Sequence, residues 1–390
     1  MKILLCNKFY YRRGGDCIYT LDLEQLLKEH GHDVAVFAMQ YPENLPSKWG
    51  KYFPSEVKFK PGLGMIEAFR RPFGTNEVKR KFCALLDDFQ PGVLHINNIH
   101  SQLSPVIAEL AHERGIRVVW TIHDYKLLCP RYDGLKNGKD ICKKCYHNKS
   151  EVLRNCCMKD SMVASYLAYM EARKWSRKRL ENITDMFICP SQFMADRMME
   201  GGFQKEKLRV LCNFINVAKC QKDSYEERND YYCYVGRLSH EKGTTSLIKA
   251  ANQLPYKLVI IGGGPLEDEL KAMAKPNVEF VGFKQWMEIK EIVGCARFTV
   301  IPSEWYENNP LSVIEAKCLG TPVLGALIGG IPELIEEDQT GMTFESRNVE
   351  ELKEKIQAMW NASWDYGKIA REAQERYSSE AYYRKLNNYY

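Results

Sequence analysis

No stretch of this 390-residue sequence approaches the run of about 20 apolar residues that a helix needs to cross a bilayer. Its longest apolar runs, around Leu258–Ile261 and Phe298–Ile301, are far shorter. Low-complexity tracts and repeats of fixed period are also missing, so the whole chain is expected to fold. The opening MKILLCNKFYYRR runs straight into Arg12 and Arg13, without the apolar core and small-residue cleavage site of a signal peptide, and the expected location is the cytoplasm. No Asp-x-Asp pair occurs, which removes one common way of holding Mg²⁺ or Mn²⁺ on a diphosphate. Nothing matches a helix-turn-helix, a zinc-finger helix or an aromatic-studded RNA motif, so nucleic acid is not an expected partner.

What is present is ordinary globular composition, 45% apolar and 27% charged, at a length that one hydrophobic core rarely serves. Two domains are expected. The net charge of +5 is mild but uneven: Lys126 to Arg179 holds fourteen Lys/Arg against five Asp/Glu. That stretch suits an anionic membrane or a phosphorylated ligand, and equally a solvated helix face.

The first half alternates short apolar strands with amphipathic helices. Lys2–Phe9, Asp33–Met39, Gly92–Asn97, Arg117–His123 and Met186–Pro190 are near-continuous Val/Ile/Leu runs, as in strands covered on both faces. Cys17–Glu29, Asn76–Asp88 and Gln102–Arg114 read as helices, the last with Ser101 as its cap. The second half repeats the pattern with strands at Tyr231–Gly236, Lys257–Gly262, Val278–Gly282, Phe298–Pro302, Pro322–Ala326 and Met342–Phe344. The polar segment after Leu208–Leu211 places a hinge near Asn213–Asn216. The expected fold is α/β, two doubly wound Rossmann-like domains facing across a cleft, with ligands beyond the carboxyl ends of the strands.

Residues just after those strands carry the chemistry. GRLSHEKG sets Arg237 and Lys242 in one loop before a helix, a good anchor for a diphosphate because fixed cations and free helix-end amides favour dense negative charge. GGGPLEDEL, from Gly262, has three glycines that would let a ligand approach the backbone, but it lacks both the P-loop Lys-Ser/Thr and the Rossmann spacing, and taken alone it reads better as a structural turn before a helix. PSEWYENNPLSVIEAKCLGTPV is the strongest signal. Asn309 and Pro310 read as cap and first helical position, with Glu307 in the loop before and Glu315 about 8 Å along the helix. Two carboxylates on either side of a positive helix end fit a ligand with hydroxyls at both ends and phosphates between, which describes a nucleotide sugar. Two solvated glutamates are the plainer alternative.

Over essentially its full length, with four motifs in order, the chain resembles a family 4 glycosyltransferase of the retaining, nucleotide-sugar-dependent GT-B class. The resemblance implies residues 1–213 as an acceptor-binding domain, 214–372 as the donor-binding domain and 373–390 as a helix crossing back to the first. It implies Arg237 and Lys242 on the donor diphosphate, Glu307 near the sugar hydroxyls and Glu315 on the ribose. Asn308, Asn309 and Leu311 would meet phosphate and sugar, and Phe283 would lie against the base. Gly14 and Gly15 match the family's glycine-rich loop, and His123 in TIHDY matches its sugar-contacting histidine. From the sequence, His123 could equally be a satisfied core histidine, or with Asp124 a general base for an inverting reaction. The implied reaction moves a hexosyl unit to a glycan or lipid-linked acceptor in cell-surface polysaccharide or glycoconjugate synthesis, with no cofactor for catalysis. A sugar-nucleotide epimerase or a non-catalytic binding relative remains the alternative.

Two features stand outside that scheme. Fourteen cysteines in a chain without a secretory signal are expected as thiols, yet Cys129, Cys142, Cys145, Cys156 and Cys157 cluster in a strand-poor insertion, residues 129–160. Cys142-x2-Cys145 with Cys129 upstream and Cys157 (or Cys156) downstream would make a structural four-thiolate zinc site, Cys157 being preferred by resemblance to relatives; free thiols in a loop are the alternative. Met162, Tyr166, Leu167, Tyr169 and Met170 beside the basic run Arg173–Arg179 suggest peripheral contact with the inner face of the membrane, although a buried helix has the same pattern.

Overall fold

In a computed structural model, the structure describes residues 1–57, 63–136 and 140–390. The chain divides into two units: Met1–Leu211 together with Tyr383–Tyr390, and Cys212–Tyr382.

The apolar runs of the first unit become β1 (Lys2–Cys6), β2 (Asp33–Phe37), β3 (Val93–Ile96) and β4 (Arg117–Thr121). A short antiparallel hairpin follows, β5 (Leu135–Lys136) with β6 (Asp140–Ile141), then β7 (Met186–Cys189) and β8 (Leu208–Val210). Six of these form a parallel sheet in the order β2-β1-β3-β4-β7-β8. All four residues of β3 and of β7 are buried, as expected of strands covered on both faces.

The second unit builds a parallel sheet from β9 (Tyr231–Val235), β10 (Lys257–Ile261), β11 (Val278–Gly282), β12 (Thr299–Ile301), β13 (Val323–Ala326) and β14 (Gly341–Phe344), ordered β11-β10-β9-β12-β13-β14. Successive side chains alternate between its faces. Leu258 and Ile260 join one core cluster, with Val300 and Leu324, while Val259 and Ile261 join the other, with Ile301 and Val323.

Two helix expectations change. The helix expected over Gln102–Arg114 spans only Val106–His112, because Ser101 and Ser104 hold left-handed backbone (φ 61° and 66°) and Pro105, which lacks an N–H, stands at the cap. The C-terminal segment is two helices, Tyr366–Arg376 and Ser379–Leu386; between them the Ile215 amide donates to the Tyr377 carbonyl, and Ile215 bridges to Ser378. Beyond the break, Tyr383 stacks on His30 at 3.6 Å and its hydroxyl meets His32 Nε2 at 2.7 Å. Arg117 Nε donates to the Tyr389 carbonyl (2.9 Å), and the Tyr390 hydroxyl meets His95 Nδ1.

Candidate functional site

In a doubly wound sheet the crevice lies where neighbouring connections leave in opposite directions. Here β1 sits between β2 and β3, and β9 sits between β10 and β12, so the loops after β1, β3, β9 and β12 are the ones placed for binding.

In the second unit, β9 leads into Arg237, whose side chain is exposed, and then into a short 3-10 turn, His240–Lys242. Gly243 follows in left-handed backbone (φ 68°) and starts the helix Thr244–Ala251. A Cβ on Gly243 would stand 1.8 Å from the Pro302 carbonyl oxygen, so the β9 and β12 loops touch there, backbone to backbone. The contact is tied further by the Glu304 amide donating to the Glu241 carbonyl (2.9 Å) and by the Ser246 hydroxyl donating to Glu304 (2.6 Å).

That clamp brings two of the candidate residues together. Lys242 Nζ donates to Glu307 Oε1 at 2.5 Å, and the Ser303 hydroxyl donates to the same oxygen at 2.9 Å. The pair is partly shielded, with 28% and 11% of the two side chains exposed, which strengthens a charge-assisted bond and holds the ammonium in place. The pairing was not evident in the sequence, where the partners are far apart.

Asn309 departs from its expected role. Its side-chain oxygen accepts from the Asn213 amide (3.0 Å) and the Cys212 thiol (3.3 Å), and its carbonyl accepts from Asn213 Nδ2 (2.9 Å), so it ties the β12 loop to the segment after β8 and does not cap the helix. Pro310 occupies the cap position of the helix Leu311–Cys318, so the helix starts one residue later than expected. Asn308 and Leu311 are half-buried beside it. Glu315 lines a small cavity with Val235, Thr299, Ser312 and Trp286, whose indole nitrogen is buried without a partner. Trp286 carried no sequence signal, since a tryptophan on an amphipathic helix reads as core. Phe283, after β11, is 79% exposed.

The glycine run after β10 follows the structural reading of the motif. A Cβ on Gly262 would stand 2.0 Å from the Gly236 oxygen, and one on Gly264 would stand 2.4 Å from the Leu238 oxygen. These glycines admit the neighbouring β9 loop, and only Gly263 lacks such a backbone contact.

In the first unit, Gly14 has extended backbone and caps the helix that begins at Gly15. Among the described residues, a Cβ there would meet nothing nearer than the Asp16 carboxylate at 3.5 Å, which leaves this approach open. His123, just after β4, lies against Tyr19 edge-on (4.8 Å), and its Nε2 meets Asn97 Oδ1 at 3.0 Å. An amide oxygen only accepts, so Nε2 carries the proton and Nδ1 is left as an acceptor. Burial pushes the imidazole pKa down to about 4, with Asp16 opposing and Lys8 adding to the shift, so His123 is neutral at pH 7. Burial raises the Asp124 carboxyl pKa; its Oδ1 accepts from the Lys126 amide (2.9 Å) and lies 3.7 Å from His100 Nε2. Asn97, 1% exposed, has its Nδ2 buried without a partner. It follows β3 directly, which is the one sequence cue that could have singled it out.

The insertion does not gather the expected zinc site. Cys129 accepts a hydrogen bond from the Cys145 thiol and is further favoured as a thiolate by the Arg131 and Gly134 amides, which bring it to about 7 against the cost of burial; Cys145 is pushed up in turn. Cys157 is within electrostatic reach of Cys145, and its carbonyl accepts from Arg131. Cys142 is half-buried at the end of β6, and Cys156 is half-buried with left-handed backbone. Among the described residues no group of three or more His, Cys, Asp or Glu side chains is placed to hold a metal ion.

Comparison with known proteins agrees with this architecture. The family model described as Glycosyltransferase Family 4 matches residues 13–219, and that described as Glycosyl transferases group 1 matches residues 219–382. An uncharacterized 42.6 kDa protein in the cps region of Klebsiella pneumoniae is 25% identical over 86% of this chain and 87% of its own length. The putative colanic acid biosynthesis glycosyltransferase WcaL of Escherichia coli is 26% identical over 49% of this chain and 52% of its own. The crystal structure of Anabaena Alr3699/HepE in complex with UDP superposes with a TM-score of 0.68 at 17% identity, covering 100% of this chain and 99% of that one. Two parallel Rossmann-like sheets and both family models in chain order make this chain a GT-B glycosyltransferase of family 4.

Proposed function

We propose that this enzyme transfers a hexosyl unit, with retention, from a nucleoside diphosphate sugar to a hydroxyl of a glycan or lipid-linked acceptor in polysaccharide or glycoconjugate synthesis. The observation that carries the reading is the Lys242–Glu307 pair, fixed where the β9 and β12 loops meet. The Anabaena protein's UDP complex makes UDP-sugars the first donors to test, and the colanic acid assignment of WcaL supports a polysaccharide product.

As the bond from the sugar C1 to the diphosphate oxygen breaks, its electron pair passes to the diphosphate. Arg237, Lys242 and the first-turn amides of the helix Leu311–Cys318 meet that growing charge, stabilising the transition state more than the bound donor. The acceptor oxygen bonds to C1 on the same face and its proton passes to the leaving diphosphate. Glu307, anchored by Lys242 and Ser303, is set to accept from sugar hydroxyls, Glu315 from the ribose, and neutral His123 offers Nδ1 to a hydroxyl of the transferring sugar. The test is a panel of nucleotide sugars with and without glycan acceptors: nucleoside diphosphate release that requires acceptor supports the reading, and an altered nucleotide sugar appearing without acceptor overturns it.

Activity is expected to persist in excess EDTA, because side-chain cations take the part of a divalent ion and the sequence has no Asp-x-Asp pair. Full loss on chelation, restored by Mg²⁺, would remove this part of the mechanism.

Asn97 positions the histidine, and a variant reads that role through pH. Above about pH 5 the wild-type imidazole is neutral, so its titration should not shape activity there. Asn97→Asp puts a carboxylate on the Nε2 proton, which raises the imidazole pKa by roughly 1–3 units and protonates Nδ1 as pH falls through the new value. The acid limb of kcat/KM should move up by that amount. Superimposable profiles for the two proteins would show that Asn97 does not act through His123.

A further inference from the structure

The helix Met162–Lys174 is folded inside out. Facing the protein are Ser165, Ala168 and Glu171, all buried: the Ser165 hydroxyl accepts from the Met158 amide, and Glu171 binds Lys126 (2.8 Å) and the Ser101 hydroxyl (3.2 Å). Facing solvent are Met162, Val163 and Tyr166, exposed by 58%, 64% and 53%. At 3.6 residues per turn, Tyr169, Met170 and Arg173 continue that outer face, and the Arg173 guanidinium lies over the Tyr169 ring at 5.9 Å. A soluble surface helix normally turns these two sets the other way, so the outer face is shaped for something apolar.

The charge around it identifies the occupant. Among the described residues of 136–178, Lys136, Lys144, Arg154, Lys159, Arg173 and Lys178 are exposed, against Asp140 and Asp160. The other two acidic residues of the stretch are engaged, Glu151 with Arg154, which offsets one of those cations, and Glu171 with Lys126, which leaves five exposed cations against two acids. Apolar side chains and interfacial tyrosines on this helix, with a surplus of exposed cations in the chain segments flanking it, match an anionic lipid surface better than a protein interface, whose core is depleted of charge. No helix among the described residues is long and apolar enough to cross a membrane, so contact would be peripheral.

We propose that Met162, Val163 and Tyr166 insert at the headgroup boundary of an anionic bilayer, with Arg173 and the neighbouring cations on the lipid phosphates. Insertion holds the enzyme at the surface where a lipid-linked acceptor would be presented, but it does not depend on donor chemistry and is tested without it. The full-length protein is sedimented with vesicles of phosphatidylcholine alone and of phosphatidylcholine with about 30% phosphatidylglycerol. Binding is expected only to the anionic vesicles, weakening with salt. It should fall about tenfold or more in Met162→Ser/Val163→Ser/Tyr166→Ser and in Arg173→Glu, as expected when inserted apolar area or interfacial charge is lost. These side chains are exposed or at the rim, so an unchanged melting temperature and unchanged UDP affinity separate lost membrane contact from lost fold or lost donor site. Failure of the wild type to bind anionic vesicles, or equal binding by the triple variant, overturns the proposal. So does a wild-type dimer that the triple variant converts to monomer, since the face would then cover a second copy of the chain.

Discussion

Replacing Lys242 with alanine should cut turnover by on the order of 10²-fold or more, about 2.7 kcal/mol of barrier. Arg237→Ala should fall in the same range, but the two losses have different origins. Arg237 is exposed and answers only to the ligand. Lys242 also neutralises Glu307, and its removal leaves that carboxylate with the Ser303 hydroxyl, beside the position proposed for the diphosphate. Lys242→Ala should therefore be the more damaging, and adding Glu307→Gln to it should restore about tenfold by deleting the stranded charge, as coupled residues do. The check is kcat at saturating donor for the two single variants and the double. Turnover within threefold of wild type for Lys242→Ala would take this ammonium out of the mechanism.

Gly243→Ala is expected to be the most disruptive single-methyl change in the second unit's binding loops. The residue sits at φ 68°, and its new Cβ would stand 1.8 Å from the Pro302 oxygen, which is backbone and cannot rotate away. Left-handed strain and overpacking together should cost about 3 kcal/mol or more, lowering the melting temperature by roughly 6–12 °C for a unit of this size. The β9 and β12 loops would part, so Lys242 and Glu307 would no longer share a geometry and donor affinity should fall with stability. Thermal melts read alongside UDP binding test this; a melting temperature within about 2 °C of wild type would mean the loops accommodate a methyl group that the geometry says they cannot.

The strands were legible because a parallel sheet buries both faces and leaves near-continuous Val/Ile/Leu runs, so β1, β2, β3, β4 and β7, and the six strands of the second sheet, stood out as patterns. Arg237 and Lys242 were legible for a related reason, as paired cations immediately after such a run. What escaped depends on pairing between distant segments. The Lys242–Glu307 bond requires β9 to lie beside β12, and the Asn97–His123 bond requires β3 beside β4, neither of which a local pattern encodes. Asn309 next to Pro310 carried a sound capping signature, but Asn213 competes for the same oxygen and wins. The glycines at 262 and 264 marked a close approach, and of the two readings open for it the structural one holds, with the β9 loop as partner. The Met- and Tyr-rich helix at 162–174 fitted burial and exposure alike until Glu171, through Lys126 and Ser101, fixed which side faces in.

The return of residues 383–390 to the first unit makes that unit discontinuous, with the whole of Cys212–Tyr382 lying between its two parts. A ribosome must therefore build the second unit before it makes the residues that meet His30, His32, His95 and Arg117. During synthesis all six strands of the first sheet are made before the residues that meet its buried histidine. Order of manufacture and order of completion are thus reversed for the two halves: the unit begun first is the one finished last.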